Sequence, residues 1–148
     1  MSLIEKIRLS IAEPKTPDFI DCLQSVPEEI IWLELRLDFL QDLSLSNIQN
    51  IISSVPADKK TIVTCRGLKN GGEFKGSDDD QIQIMQAALD FDVVEFVDVD
   101  SSILALVKDY IPATKTLLSS HIFESITLEQ AQAKLQDILK LPAQVYKL

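Results

Sequence analysis

The sequence has too few cysteines for a disulfide framework, no long apolar run and a shortage of basic residues. Cys22 and Cys65 are its only cysteines, and two thiols at that spacing form neither a disulfide scaffold nor a metal motif. Reduced thiols in a cytoplasmic protein are the simplest expectation. No apolar stretch approaches the ~20 residues that cross a bilayer. The first residues, Met1 to Lys6, lack the charged, apolar and cleavage segments of a signal peptide. Lys and Arg total 14 against 23 Asp and Glu, a net charge of −9. Such a surface repels phosphate backbones and anionic lipid, which argues against nucleic-acid and membrane partners. An anionic substrate would need a local basic cluster working against that field.

What is there is a strict alternation of short β-rich runs and amphipathic helical patterns. Strands are expected at Ile7 to Ala12, Ile30 to Leu37, Thr61 to Cys65, Val93 to Val99, Thr116 to Ser120 and Gln144 to Lys147. Helical patterns begin near Thr16-Pro17, with Phe19, Ile20 and Leu23 inward, and at Leu45 to Ser54. A third follows Ser77, with Ile82, Met85 and Leu89 on one stripe, and a fourth runs from Ser101 to about Tyr110. Ser77 and the three aspartates after it suit a helix start. Thr127 and Gln130 form a capping box for a fifth helix, whose apolar face carries Leu128, Ala131, Leu135 and Ile138.

Alternation with short connections means parallel strands joined by crossovers. A nucleotide-binding open sheet should place a glycine-rich turn after its first strand; here that turn is Glu13-Pro14-Lys15. Gly71-Gly72 likewise lacks the Gly-Lys-Ser/Thr sequel of a phosphate loop. The expected fold is therefore α/β of the (β/α)₈ barrel type, incomplete in this chain. About six βα units occupy residues 1–148 as a single partial domain, where a full barrel has eight.

The chemistry concentrates at strand ends. In Trp32 to Asp38, Glu34, Arg36 and Asp38 share one face and three leucines the other. A wet edge strand would read the same way, but parallel sheets are covered on both faces, and buried charges are costly unless paired or functional. Strand three stops at Arg66. Strand four closes with Asp98 and Asp100, strand five with Ser119-Ser120-His121, and strand six carries Lys147. Taken singly, each has an ordinary explanation: Arg66 pairing with Asp98, a surface histidine, a solvated terminal lysine. Their convergence on the rim where parallel α/β folds bind ligands is harder to dismiss.

Those segments, in order, resemble type I 3-dehydroquinate dehydratases. Glu34-Leu35-Arg36-Leu37-Asp38 is similar to the E-x-R-x-D strand of that family. Thr64-Cys65-Arg66 with Asn70-Gly71-Gly72-Glu73 resembles its arginine and E-G-G loop. Ser119 to Phe123 resembles its S-x-H-D-F segment, and Val145 to Leu148 its K-[IL]-A strand. Ser10 matches a serine at the end of the family's first strand. Two positions depart: the loop glutamate, which orients the histidine in the family, is Asn70 here, and the aspartate after the histidine is Ile122.

The resemblance implies conversion of 3-dehydroquinate to 3-dehydroshikimate in the shikimate pathway, with no metal or organic cofactor. Lys147 would form a Schiff base with the substrate ketone, and His121 would serve as general acid and base. Glu34, Arg36 and Arg66 would hold the substrate's hydroxyls and carbonyl region, with Ser10 assisting and Asn70 and Asp98 in support. To attack, Lys147 must shed its proton near neutrality, a change expected from burial and from the charge of Arg66 or protonated His121. In the family, further substrate-binding residues stand on a seventh and an eighth strand, so these units alone are expected to be nearly inactive. Two alternatives stay open. One is another Schiff-base barrel of the aldolase type. The other is a degenerate, non-catalytic relative acting as a binding or assembly module, whose open sheet edges would pair two copies into a homodimer.

Overall fold

The computed structural model describes residues 7–148. Its strands are β1 (Arg8–Ile11), β2 (Trp32–Arg36), β3 (Lys60–Thr64), β4 (Val94–Asp100), β5 (Thr116–Ser119) and β6 (Val145–Lys147). They pair in parallel, each with its sequence neighbour, as one sheet ordered from β1 to β6. Between them run α1 (Thr16–Gln24), α2 (Leu45–Ser53), α3 (Asp78–Ala88), α4 (Leu104–Val107) and α5 (Leu128–Ile138). A doubly wound sheet reverses its strand order at a switch point, where the helices change faces. Here the order never reverses, and the helices share one core with one face of the sheet. The fold is the expected (β/α) barrel, present as a six-stranded half-barrel.

Strand alternation builds that core. Leu33, Leu35 and Leu37 are completely buried toward the helices. Ile11, Leu35, Val63 and Val97 align as one row across four strands. Against them pack Phe19 and Leu23 of α1, Ile48, Ile51 and Ile52 of α2, and Met85 and Ala88 of α3. Truncating one such leucine, as in Leu35→Ala, costs about 2–5 kcal/mol by lost transfer energy and residual cavity. The starts of α3 and α5 are closed by capping boxes, Ser77 with Asp80 and Thr127 with Gln130.

Two helices differ from expectation. The fourth is regular only over Leu104–Val107, not from Ser101 to Tyr110. The Asp100 carboxylate captures the Ser102 N–H, and tight bonds from Ile103 N–H to Asp100 O and from Tyr110 N–H to Val107 O close turns at either end. In α5 the apolar face is mostly uncovered. Ile138 is buried, but Leu128 and Leu135 stay exposed, because no element among the described residues lies over them.

The other sheet face carries the chemistry. At its N-terminal end the Trp32 ring stacks on Phe96 at 6.0 Å, with Arg8 and Lys60 over the indole. Between β3 and β4 the register slips at Thr61/Ile62, so that Ile62 faces Phe96 and Glu95 is the extra residue. An uncorrected alternation would turn Asp98 toward the helices; the bulge restores Phe96 and Asp98 to the inner face, in line with Ile62 and Thr64.

Candidate active site

Carboxyl ends of adjacent parallel strands lie side by side, so polar residues that alternate inward there must satisfy one another. Glu34, on β2, sits between Ser10 on β1 and Thr64 on β3. Ser10 Oγ donates to Glu34 Oε2 at 2.6 Å and Thr64 Oγ1 donates to Oε1 at 2.8 Å. Burial pushes the Glu34 carboxyl up, but the Ser10 and Thr64 hydroxyls, with the charges of Lys147 and Arg36, outweigh it and hold the group below its ordinary range. It stands there as a carboxylate.

Asp98 on β4 is the second fixed anion and is almost wholly buried. Its Oδ2 accepts from Arg66 Nη2 at 2.9 Å, and its Oδ1 accepts from Ser119 Oγ on β5. The Lys147 Nζ lies 3.7 Å from Asp98 Oδ2 and 3.9 Å from Glu34 Oε1. The amine therefore faces the gap between the two carboxylates. Its side chain keeps 42% of its surface exposed, and Arg66 is already matched by Asp98.

Arg36 is clamped from its own strand end. Its Nε and Nη2 donate to the two oxygens of Asp38 at 3.0 and 2.8 Å, a bidentate pair, and the Phe39 ring lies beneath the guanidinium. Asp38 also accepts the Glu73 N–H at 3.1 Å, which ties the β2 end to the loop after β3.

His121 stands two residues past Ser119, and the adjacent Ser120 N–H donates to Lys147 O at 2.9 Å, which places histidine and lysine on neighbouring strand ends. The imidazole Nδ1 is 3.0 Å from Asp100 Oδ2, and the Phe123 ring runs nearly parallel to it, with centroids 6.2 Å apart. Asn70 does not contact the imidazole; its Nδ2 donates to Ser102 Oγ at 3.1 Å.

Ser10, Glu34, Arg66, Asp98 and Lys147 thus form one bonded cluster, with Arg36 beside it and His121 at its edge. The sequence places Asp100 on the rim and Thr64 beside Arg66, but assigns neither a role in the site. The signal for Asp100 was present in Asp98-Val99-Asp100, whose alternation puts both carboxylates inward, but the pairing of Asp100 with Ser119 was needed to bring it to His121. Thr64 gave only the parity of its strand. Among the described residues no group of His, Cys, Asp and Glu is arranged to hold a metal ion, and no helix is long and apolar enough to cross a membrane.

Comparison with known proteins gives one consistent result. The family model described as type I 3-dehydroquinase matches residues 7–148. A 3-dehydroquinate dehydratase of Coxiella burnetii (strain CbuK_Q154) is 26% identical over 106 residues, covering 72% of this chain and 44% of the relative. One from Methanopyrus kandleri is 25% identical over 126 residues, covering 80% and 57%. The chain thus spans less than half the length of the Coxiella relatives it matches. Among solved structures, type I 3-dehydroquinate dehydratase from Clostridium difficile superimposes with a TM-score of 0.80 at 16% identity, over 94% of this chain and 60% of that one. The Enterococcus faecalis enzyme gives 0.74 at 18% identity, over 94% and 63%. At these identities the structural matches speak for the fold.

Proposed function

This chain belongs to the type I 3-dehydroquinase family, and we propose that its site serves the dehydration of 3-dehydroquinate to 3-dehydroshikimate through a Schiff base on Lys147. The observation that carries this reading is the position of Lys147 Nζ, 3.7 and 3.9 Å from two anchored carboxylates on the rim that also bears His121.

The chemistry follows from those groups. Nζ, once deprotonated, adds to the substrate ketone, and the carbinolamine loses water to give an iminium. That cation accepts the electron pair of the adjacent C–H bond as the proton leaves, giving an enamine. The enamine then expels the β-hydroxyl, which departs as water with a proton from His121. Hydrolysis of the conjugated iminium frees the product and the lysine, so the net change is loss of one water. His121 moves the protons. Glu34 and Asp98 stabilise the iminium charge at Nζ, where preorganised carboxylates cost no reorganisation. Arg36, Arg66 and Ser10 hold the anionic substrate, while Asn70 acts from the loop through Ser102.

The test is trapping. Borohydride added with 3-dehydroquinate should fix a covalent adduct, located at Lys147 by peptide mass spectrometry and absent from Lys147→Ala. An adduct on another lysine, or none, would overturn the assignment.

A further inference from the structure

We propose that Asp100, at the end of β4, is the carboxylate that orients His121, in place of a carboxylate on the loop after β3. The proposal rests on the acid–base role given to His121 above, and Asp100 enters it as a positioning residue, since it touches the imidazole and not the reacting atoms.

Three observations carry it. First, the contact is direct: His121 Nδ1 lies 3.0 Å from Asp100 Oδ2. A carboxylate can only accept, so Nδ1 carries the hydrogen, and in the neutral ring Nε2 is left with a free lone pair as the base. Second, Asp100 is itself held. Its backbone is fixed in the sheet opposite Ser119, its other oxygen accepts the Ser102 N–H at 2.9 Å, and its side chain is almost buried. An anchored carboxylate fixes both the tautomer and the ring plane. Third, the loop residue that a glutamate would occupy is engaged elsewhere. Asn70 reaches Ser102 Oγ, so it braces the turn that presents Asp100. The nearly parallel Phe123 ring, itself packed over Gly71, borders the imidazole.

His121 is the only histidine, so the imidazole nitrogen spectrum of the full chain reports on this residue alone. In ¹⁵N-labelled protein at alkaline pH, the Nδ1–H tautomer should predominate. In Asp100→Asn, whose amide can donate to Nδ1, the population should move to Nε2–H, and Asp100→Glu should restore part of the original. Asn70→Ala should leave the Nδ1–H form dominant. Imine trapping at Lys147 should slow by about 100-fold or more in Asp100→Asn, the usual share of a positioned acid–base group. A wild-type spectrum dominated by Nε2–H would overturn the proposal before any variant is made. So would an Asn70→Ala shift as large as that of Asp100→Asn. Because the tautomer is read without substrate, failure of Lys147 to trap would count against the proposed reaction and leave this result standing.

Discussion

Lys147 Nζ stands 3.7 Å from Oδ2 of Asp98, the oxygen that also accepts the Arg66 guanidinium at 2.9 Å. One carboxylate thus neutralises a part-buried arginine and anchors a more exposed lysine. The two roles have different energetics, because a desolvated pair broken on one side leaves an uncompensated charge, whereas an exposed pair is largely screened.

Replacing Asp98 separates those roles. Asp98→Ala strands Arg66 and removes the acceptor of Ser119, and should destabilise the chain by about 3–5 kcal/mol. Lys147→Ala removes only the weaker, screened partner and should change stability by less than about 1 kcal/mol. Urea unfolding of both variants measures the difference. Equal losses would show that Arg66 finds water when its partner is gone.

Glu34 should contribute to the acid limb of stability. Its folded carboxyl is held below the ordinary value of 4.5, because the hydroxyls of Ser10 and Thr64 and the charges of Lys147 and Arg36 outweigh burial. An unfolded chain has none of these partners and so binds the proton more readily. The stabilisation is therefore fully present above pH 4.5 and disappears as pH falls through the lower folded value. Glu34→Gln should be less stable than the parent at neutral pH, and the gap should narrow on acidification below pH 4.5. Denaturant midpoints across that range check it; a gap that widens with acid would mean the carboxyl is raised.

How much of this was legible beforehand depends on the length scale of the cause. Glu34 and Arg36 declare themselves within one strand, because leucines on alternate positions leave them nowhere to point but inward. Ser77 and Thr127 announce their helix starts within a single turn. The Asp100–His121 contact is different: it needs the register of β4 on β5, which alternation alone leaves open by two residues either way. The exposure of Lys147 depends on what covers β6, and the open face of α5 on what packs beside it; neither is written in the local pattern. Parity is a property of a strand, whereas burial belongs to its neighbours.

The paired glycines of the loop after β3 should respond unequally to alanine. Gly71 has a φ of 75°, where a Cβ costs about 1–2 kcal/mol. The atoms a Gly71 side chain would meet belong to the Phe123 ring, at 2.7 Å, and that ring is 70% exposed and free to swing away. At Gly72 the obstacle is backbone. A Cβ there would fall 2.0 Å from Arg66 O and 2.5 Å from Arg66 C. That carbonyl cannot retreat cheaply, since it accepts the Phe74 N–H at 3.0 Å, and Gly72 N–H in turn donates to Gly67 O at 3.1 Å. Gly72→Ala must therefore break the loop's own hydrogen bonds or push Arg66 off Asp98, at a cost of about 3 kcal/mol or more. Urea unfolding of the two variants should rank Gly72→Ala as the more damaging, with the trapping rate at Lys147 falling further as well. The reverse order would mean that the Gly71 backbone, and not the close approach at Gly72, holds the loop against Arg66.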